Sequence, residues 1–126
     1  MVAQISKNLS YRIINEQELL NMRDCRILDK YNWNCYNKDD IFVVFSDGDT
    51  DIGVVECNID SDGVAFIEMI EVFEPMRRKG YGERIIKQLQ QMHGAWSCVP
   101  IDTSDSFFRR LGFSPITPTS HIWYWQ

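Results

Sequence analysis

The chain has 126 residues, of which 44% are hydrophobic and 25% charged, and its 18 acidic against 13 basic residues give a formal net charge of −5. This composition is typical of one globular domain over residues 1–126, and the acidic balance argues against a general nucleic-acid binder, which must neutralise phosphates. Since no apolar run reaches the about 20 residues of a membrane helix and no signal-peptide core is present, we expect a cytoplasmic protein with no membrane partner and no nucleic-acid partner.

The first half of the chain predicts one helix followed by a β meander. Residues 11–15 are typical of a short strand, and the apolar spacing in residues 16–31 is helical. The polar and aromatic stretch 32–40 has no clean period, so we interpret it as a loop or a broken helix. Three β segments follow, separated by two Asp-Gly pairs that favour tight antiparallel turns.

The second half alternates helices with short strands. Apolar residues from Gly82 to Met92 recur at helical spacing, and residues 103–113 are typical of a second, shorter helix. Residues 95–101 and 121–126 are predicted strands. The order β-α-β-β-β-α-β-α-β predicts an α/β (α+β) fold with a mixed, mostly antiparallel central sheet flanked by helices.

The sequence predicts no metal site. Four cysteines are widely spaced without a Cys-x-x-Cys pair, and there are two histidines, so we expect reduced, mostly packed thiols. The segment DGDTDIGVVECN resembles a calcium-binding loop, but Ile52 stands where that loop needs glycine and Asn58 where it needs glutamate. We therefore interpret it as an acidic hairpin turn.

A basic turn with two glycines lies between the third β segment and the following helix. Arg77, Arg78 and Lys79 precede Gly80 and Gly82. A helix that begins here exposes unpaired N–H groups, and glycine lets a ligand approach the backbone closely, so the turn predicts a phosphate or pyrophosphate site. The alternative is a tight turn with a solvated basic patch.

Two other phosphate-binding patterns do not fit this turn. A Walker loop needs lysine followed by serine or threonine after its second glycine, and here Gly82 is followed by Glu83 and Arg84. A dinucleotide-binding fingerprint needs a third glycine, and Ile85 stands at that position.

The pattern Arg-x-x-Gly-x-Gly at residues 77–82 resembles the acetyl-coenzyme A signature of the GCN5-related N-acetyltransferases. Upstream, IEVFEPM stands where that family has a strand and a proline-containing turn. Downstream, SFFRRLGF is similar to its second motif, a helix that ends in Phe-Tyr-x-x-x-Gly-Phe. Both motifs lie within residues 64–113, in the family's order. The resemblance implies a fourth and a fifth strand that splay apart to form an acetyl-CoA cleft.

The resemblance also implies which residues bind acetyl-CoA. The backbone of Ile70 and Val72 would hydrogen-bond the pantetheine arm like an added strand, with the Val72 N–H as oxyanion donor. The pyrophosphate would rest on the amides of residues 78–82, and Phe108 with Ser104 would flank the pantetheine. The implied cofactor residues are Ile70, Glu71, Val72, Arg77, Arg78, Lys79, Gly80, Tyr81, Gly82, Ser104 and Phe108. Of these, Glu71 faces the other side of its strand, where we expect a structural role.

Two residues are candidates for catalysis. The family often has an acid tyrosine where this chain has Phe108, which cannot donate a proton, so Tyr124 is the candidate acid unless the thiolate leaves unassisted. Glu68 has the strand parity of the two pantetheine-contacting residues and is expected to be buried beside Phe66, so it is the candidate base; a structural glutamate is the alternative. A covalent route through Cys98 would need an activating base, which we cannot identify.

The predicted function is acetyl-CoA-dependent N-acetylation, by direct transfer, of an amine-bearing small molecule or of a lysine or N-terminus on a protein. The expected acceptor wall is formed by residues 30–40 and 114–121; its aromatic and acidic members that would suit an amine are Tyr31, Trp33, Tyr36, Asp39 and Asp40. One alternative is a non-catalytic acyl-CoA-binding or protein-interaction module, which Phe108 favours. Another is a toxin-like enzyme that acetylates aminoacyl-tRNA, which the acidic charge disfavours. Aromatic residues on the last strand suggest a homodimer.

Overall fold

The computed structural model describes residues 8–29 and 32–126. Asn15 begins the first helix, because its side chain accepts a hydrogen bond from the Glu18 N–H at 2.9 Å. The strands are β1 Ser10–Ile14, β2 Ile41–Asp47, β3 Thr50–Ile59, β4 Ala65–Val72, β5 Trp96–Cys98, β6 Ser114–Pro115 and β7 Trp123–Trp125. The helices are α1 Glu16–Asp24, α2 Tyr81–Met92 and α3 Asp105–Arg110, with short 3-10 turns at Glu74–Met76 and Asp102–Ser104.

The seven strands form one sheet in the order β1-β2-β3-β4-β5-β7-β6. Neighbouring strands are antiparallel except β4 and β5, which are parallel. The predicted mixed, mostly antiparallel sheet flanked by helices is confirmed, and so is the meander of β2, β3 and β4.

Each face of the sheet has its own apolar cluster. Helices α2 and α3 cover one face, where Ile85, Ile86 and Phe108 pack against the strands. Helix α1 and residues 25–29 and 32–40 cover the other, where Leu19 and Trp33 pack. We call these the α2 face and the α1 face. Within the described part of the chain, no helix is long and apolar enough to cross a bilayer.

Some predicted boundaries were wrong. The apolar period predicted a helix over residues 16–31, but α1 ends at Asp24 because Arg26 has a left-handed backbone with φ of 61°. The N–H of Ile27 then bonds to the Met22 carbonyl at 2.9 Å, which turns the chain away from the helix axis. Residues 30–31 of that prediction lie outside the described residues. The short strand β6 lies within residues 114–121, where the sequence did not predict a strand.

Candidate functional site

The parallel strands β4 and β5 separate soon after they pair. Their register joins Ala65–Ile67 to Trp96–Cys98, and β4 then continues to Val72 with no strand on that side among the residues that the structure describes. A cavity of about 200 Å³ fills the opening, lined by residues 67–70 and 98–101 and by the two phenylalanines of α3. We call this cavity the cleft.

The backbone of β4 presents hydrogen-bonding groups to the cleft. The Phe73 N–H donates to the Ile52 carbonyl of β3 at 2.9 Å. Because an antiparallel strand alternates the side to which its peptide groups point, the N–H and C=O of Ile70 and Val72 point away from β3, to the side on which the cleft lies. Ile70 lines the cleft itself. The Val72 carbonyl already accepts from Arg77 Nε at 2.8 Å. The free groups at this edge are those expected to take an extended, amide-containing ligand.

A bulge in β4 changes the direction of Glu68. Glu56 pairs with Met69 and Cys57 pairs with Ile67, so Glu68 is an extra residue in the register. Its Oε1 accepts from Asn58 Nδ2 at 3.3 Å on the α1 face. The expected parity of Glu68 with Ile70 and Val72, and its expected burial, are therefore wrong: Glu68 is exposed at the rim of the cleft.

The predicted phosphate turn leads directly into α2. Gly80 adopts a left-handed backbone, with φ of 81°, immediately before the helix. The first bond from this turn into the helix runs from the Arg84 N–H to the Gly80 carbonyl, at 3.2 Å. The N–H groups of residues 81–83 therefore have no partner within the helix and point out of its N-terminus, where an anion is favoured.

Of the side chains around this turn, that of Tyr81 is held against the protein, while those of Arg78 and Lys79 are exposed. Tyr81 donates its hydroxyl to Asp47 Oδ2 at 2.7 Å, and the Arg84 guanidinium lies 5.2 Å from its ring centre. The Tyr81 side chain is thus held on the β2–β3 turn, which leaves its backbone N–H for a phosphate. Lys79 and Arg78 are exposed, and Arg78 has a left-handed φ of 65°.

Phe108 belongs to the core as well as to the cleft wall. It is 6% exposed and packs edge-on against Phe107 and Phe113, at ring-centre distances of 5.1 and 5.4 Å. Phe107 is half-buried and also lines the cleft. Ser104 uses its hydroxyl to bond the Ile101 carbonyl at 2.8 Å, at the start of α3.

Tyr124, the candidate acid, and Cys98, considered for a covalent route, have different surroundings. Tyr124 donates its hydroxyl to Gln126 Oε1 at 2.7 Å, and it is not among the described residues that line the cleft. Cys98 does line the cleft, but burial raises the pKa of its thiol to about 12. Since the thiolate is the nucleophile, a covalent route through Cys98 is disfavoured. Cys25 and Cys35 are exposed, contrary to the expectation of mostly packed thiols.

The residues expected to form an acceptor wall have different surroundings from one another. Trp33 is 1% exposed and belongs to the α1-face core. Tyr36 packs edge-on against Phe42, with ring centres 5.7 Å apart, and donates to Glu16 Oε2 at 3.0 Å. Asp39 is exposed, while Tyr31 lies outside the described residues.

A buried carboxylate that sequence reasoning missed lies beside the bulge. Glu56 of β3 is 4% exposed, and burial raises its pKa to about 7, with further upward contributions from Asp40 and Glu68. The Asn37 N–H donates to Glu56 Oε2 at 3.0 Å, and this hydrogen bond lowers the pKa of Glu56 in part. Asp40 Oδ2 is buried without a hydrogen-bond partner among the described residues. A proton on Glu56 would supply that partner.

A larger cavity, of about 710 Å³, lies at the end of β4 between residues 26–29 and residues 73–78. Its lining includes Arg26 and Arg77 together with the carboxylates of Asp51 and Glu71. This mixed charge does not favour one ligand class. The smaller cleft is the candidate ligand site, because the separated strands and the free peptide groups of β4 lie there. No group of three or more metal-ligating side chains occurs within residues 8–29 and 32–126.

The sequence matches one family model over most of its length. The model is described as the acetyltransferase (GNAT) family, and it matches residues 10–113. No curated protein matches the sequence.

Solved structures share the fold at low sequence identity. YhhK from Escherichia coli, determined with bound coenzyme A, is 12% identical, with a TM-score of 0.64 over 94% of this chain and 98% of its own. The ribosomal-protein-S18-alanine N-acetyltransferase from Escherichia coli is 12% identical, with a TM-score of 0.64 over 92% of both chains. The Y144F mutant of the toxin AtaT, bound to the C-terminus of the antitoxin AtaR and acetyl-CoA, is 12% identical, with a TM-score of 0.59 over 94% of this chain and 93% of its own.

Proposed function

Because the chain belongs to the acetyltransferase (GNAT) family, we propose that it binds acetyl-CoA in the cleft and transfers the acetyl group directly to an amine. The observation that carries this proposal is the separation of β4 from β5, which leaves the peptide groups of Ile70 and the N–H of Val72 without a strand partner on the side of the cleft. The end of β4 lies close to the start of α2, where an added Cβ on Gly82 would be 3.8 Å from Val72 Cγ2. A thioester arm along β4 and a pyrophosphate at the unpaired amides of α2 would therefore both find partners. We place this activity in the cytoplasm as part of the proposal.

The transfer needs few side chains. The amine nitrogen attacks the thioester carbonyl, and the oxygen that gains the negative charge is stabilised by a backbone N–H of β4, that of Val72. The carbon–sulfur bond then breaks and the electron pair leaves with the sulfur. A thiol has a pKa of about 8.5, so its thiolate is a tolerable leaving group near neutral pH, which is consistent with Phe108 in place of an acid.

The proton of the amine must also be accepted. Glu68 lies at the rim of the cleft on the α1 face, and its hydrogen bond to Asn58 places the carboxylate there. We propose Glu68 as the base and an amine of a small molecule or of a protein as the acceptor. The S18-alanine enzyme that shares the fold has a protein acceptor by its name.

The test is calorimetric titration with acetyl-CoA, together with measurement of slow thioester hydrolysis. A Cβ added at Gly82 would lie 3.6 Å from the Phe107 ring and 3.8 Å from Val72 Cγ2, so the fold tolerates it. An indole at this position would occupy the space beside the N-terminus of α2, where the pyrophosphate would bind. We expect Gly82→Trp to abolish binding with an unchanged circular dichroism spectrum. The matched control is Gly94→Trp, at the other end of α2, where an added Cβ meets nothing within 4 Å. Wild-type protein that does not bind acetyl-CoA would rule the proposal out.

A second candidate function is a non-catalytic acyl-CoA-binding module. Phe108 favours it, because a phenyl ring at the position of the family's tyrosine cannot donate a proton. Under this alternative, wild-type protein binds acetyl-CoA, and thioester hydrolysis stays at the uncatalysed rate for wild type and for Glu68→Gln alike. Hydrolysis that wild type catalyses and Glu68→Gln loses would favour the enzyme.

A further inference from the structure

Glu71 lies between the two residues whose peptide groups face the cleft. Its neighbours in β4, Ile70 and Val72, pack on the α2 face, so the Glu71 side chain extends from the α1 face. The residue is 6% exposed. A carboxylate in such a place is costly unless several donors surround it.

Three donors from the described residues surround the Glu71 carboxylate. The Asp29 N–H donates to Oε2 at 2.9 Å, while Asn32 Nδ2 and Trp33 Nε1 donate to Oε1 at 3.3 and 3.2 Å. Hydrogen bonds to a charged acceptor are about twice as strong as neutral ones. Glu71 is therefore a main attachment of Asp29, Asn32 and Trp33 to the sheet.

The segment attached in this way covers the side of β4 opposite the cleft. Trp33 is buried in the cluster that contains Phe73, the residue that follows β4. Farther along the same segment, the Asn37 N–H is held by Glu56 of β3. The covering segment, which we define as residues 29 and 32–40, thus rests on one buried carboxylate from each of two adjacent strands.

We propose that Glu71 is a positioning residue that couples coenzyme A seated on β4 to the order of the covering segment. The inference rests on the proposed function, because it takes Ile70 and Val72 as the seat of the pantetheine arm. The N–H and C=O of Glu71 face β3, so its two flanking peptide planes are bonded to the sheet on one side only. Hydrogen bonds from the arm would attach the same two planes on the other side. This second attachment would restrict the motion of the Glu71 side chain and of the three donors that it holds. The acceptor side is then ordered when the cofactor is in place, before the amine arrives.

Coupling of this kind is reciprocal. A segment that orders when coenzyme A binds must in turn strengthen coenzyme A binding by the same factor. Weakening the attachment at Glu71 is therefore expected to lower coenzyme A affinity, although the Glu71 carboxylate faces away from the cleft. If Glu71 had a merely structural role, its substitution would speed hydrogen exchange in the segment by the same factor with and without coenzyme A.

The experiment is hydrogen–deuterium exchange read by mass spectrometry, with and without coenzyme A, on peptides that cover residues 25–40. In wild type we expect coenzyme A to slow exchange by about fivefold or more, the lower end of common allosteric couplings. Glu71→Gln keeps the shape but turns an amide N–H₂ toward N–H donors, so the coenzyme A-dependent slowing should be lost. Trp33→Phe removes one donor and keeps a ring, and it should reduce the slowing if Glu71→Gln does not fold. The control is Glu74→Gln, an exposed glutamate three positions along, which should behave as wild type.

The outcomes separate the two proposals. Wild type that does not bind coenzyme A in calorimetry overturns the proposed function and this inference with it. Wild type that binds coenzyme A with unchanged exchange in residues 25–40 overturns the inference alone. The same holds if Glu71→Gln, or Trp33→Phe where the former is unfolded, retains the full coenzyme A-dependent slowing.

Discussion

The carboxylate of Glu56 accepts a hydrogen bond from the Asn37 N–H at 3.0 Å, so a buried acid of β3 holds the segment that leads into β2. This acid has its pKa raised to about 7 by burial and by Asp40 and Glu68. At neutral pH the attachment therefore depends on a group that is close to half protonated.

Stability is expected to fall as pH rises through the Glu56 titration. Between the usual glutamate pKa of 4.5 and the folded value of about 7, the folded state retains a proton that the unfolded state releases. One pKa unit corresponds to about 1.4 kcal/mol, so this group alone lowers the free energy of unfolding by about 2 kcal/mol between pH 5.5 and pH 8. Urea unfolding at the two pH values measures the change.

Glu56→Gln should remove that pH dependence. The amide oxygen can accept from Asn37 and the amide N–H₂ can donate to Asp40, as the protonated acid would. Glu74→Gln is the control and should retain the wild-type difference. If Glu56→Gln and wild type lose the same stability between pH 5.5 and pH 8, the raised pKa of Glu56 is wrong.

Gly53 of β3 is expected to set the position of β4. A Cβ at Gly53 would lie 2.7 Å from the Glu71 carbonyl oxygen and 3.3 Å from Val72 Cα, both of them backbone atoms. We expect Gly53→Ala to lower the free energy of unfolding by about 1 to 3 kcal/mol, as overpacking does. Because the clash pushes β4 toward the cleft, coenzyme A affinity should fall as well. Gly94→Ala is the control, and unchanged stability of Gly53→Ala would contradict the close approach.

Alkylation should distinguish the four cysteines. Burial raises the thiol pKa of Cys98 to about 12 and that of Cys57 to about 11, with smaller contributions at Cys57 from Asp40 and Glu56. Iodoacetamide at pH 8 should therefore modify the exposed Cys25 and Cys35 in the folded protein and leave the buried pair unmodified. Peptide mass spectrometry gives the sites. Rapid modification of Cys98 would reopen the acyl-cysteine route.

Phe108→Tyr tests the position of the missing acid. The new hydroxyl would extend from a residue that lines the cleft, where it can protonate a leaving thiolate. General acid catalysis contributes at least about 10²-fold where protonation limits the rate. Because a thiolate leaves more easily without a proton than an alkoxide does, we expect the rate of acetyl-CoA hydrolysis to rise by less than that factor. Thiol release measures it. A lower rate with intact coenzyme A binding would show that the phenyl ring is required for packing.

The local parts of the fold and of the site could be predicted from the sequence. The basic turn predicted the start of α2, and the helix begins at Tyr81 with Gly80 in a left-handed backbone. Asp-Gly pairs predicted the hairpins between β2, β3 and β4. In each case the information lies within a few neighbouring residues, in glycine's access to positive φ and in the period of apolar side chains.

Pairing between distant residues could not be predicted in this way. The bulge at Glu68 is set by the register of β4 against β3, and one extra residue was enough to reverse the expected direction of its side chain. Trp33 was predicted to belong to the acceptor wall, whereas it is buried and bonded to Glu71. The sequence gives no signal of this bond, because the two residues are 38 positions apart. Glu56 did leave a signal, since it is an acid inside the apolar run VVEC.

The pairing of β4 with β5 is three residue pairs long. It is the boundary between two half-sheets, one made of β1, β2, β3 and β4 and the other of β5, β7 and β6. A molecule that lies along the rest of β4 and touches α3 adds contacts between the two half-sheets beyond those three pairs, and so stabilises their association. Ligands that bind the folded state stabilise it in proportion to the logarithm of their concentration. The resistance of this protein to heat and to proteases would then follow the supply of its own cofactor.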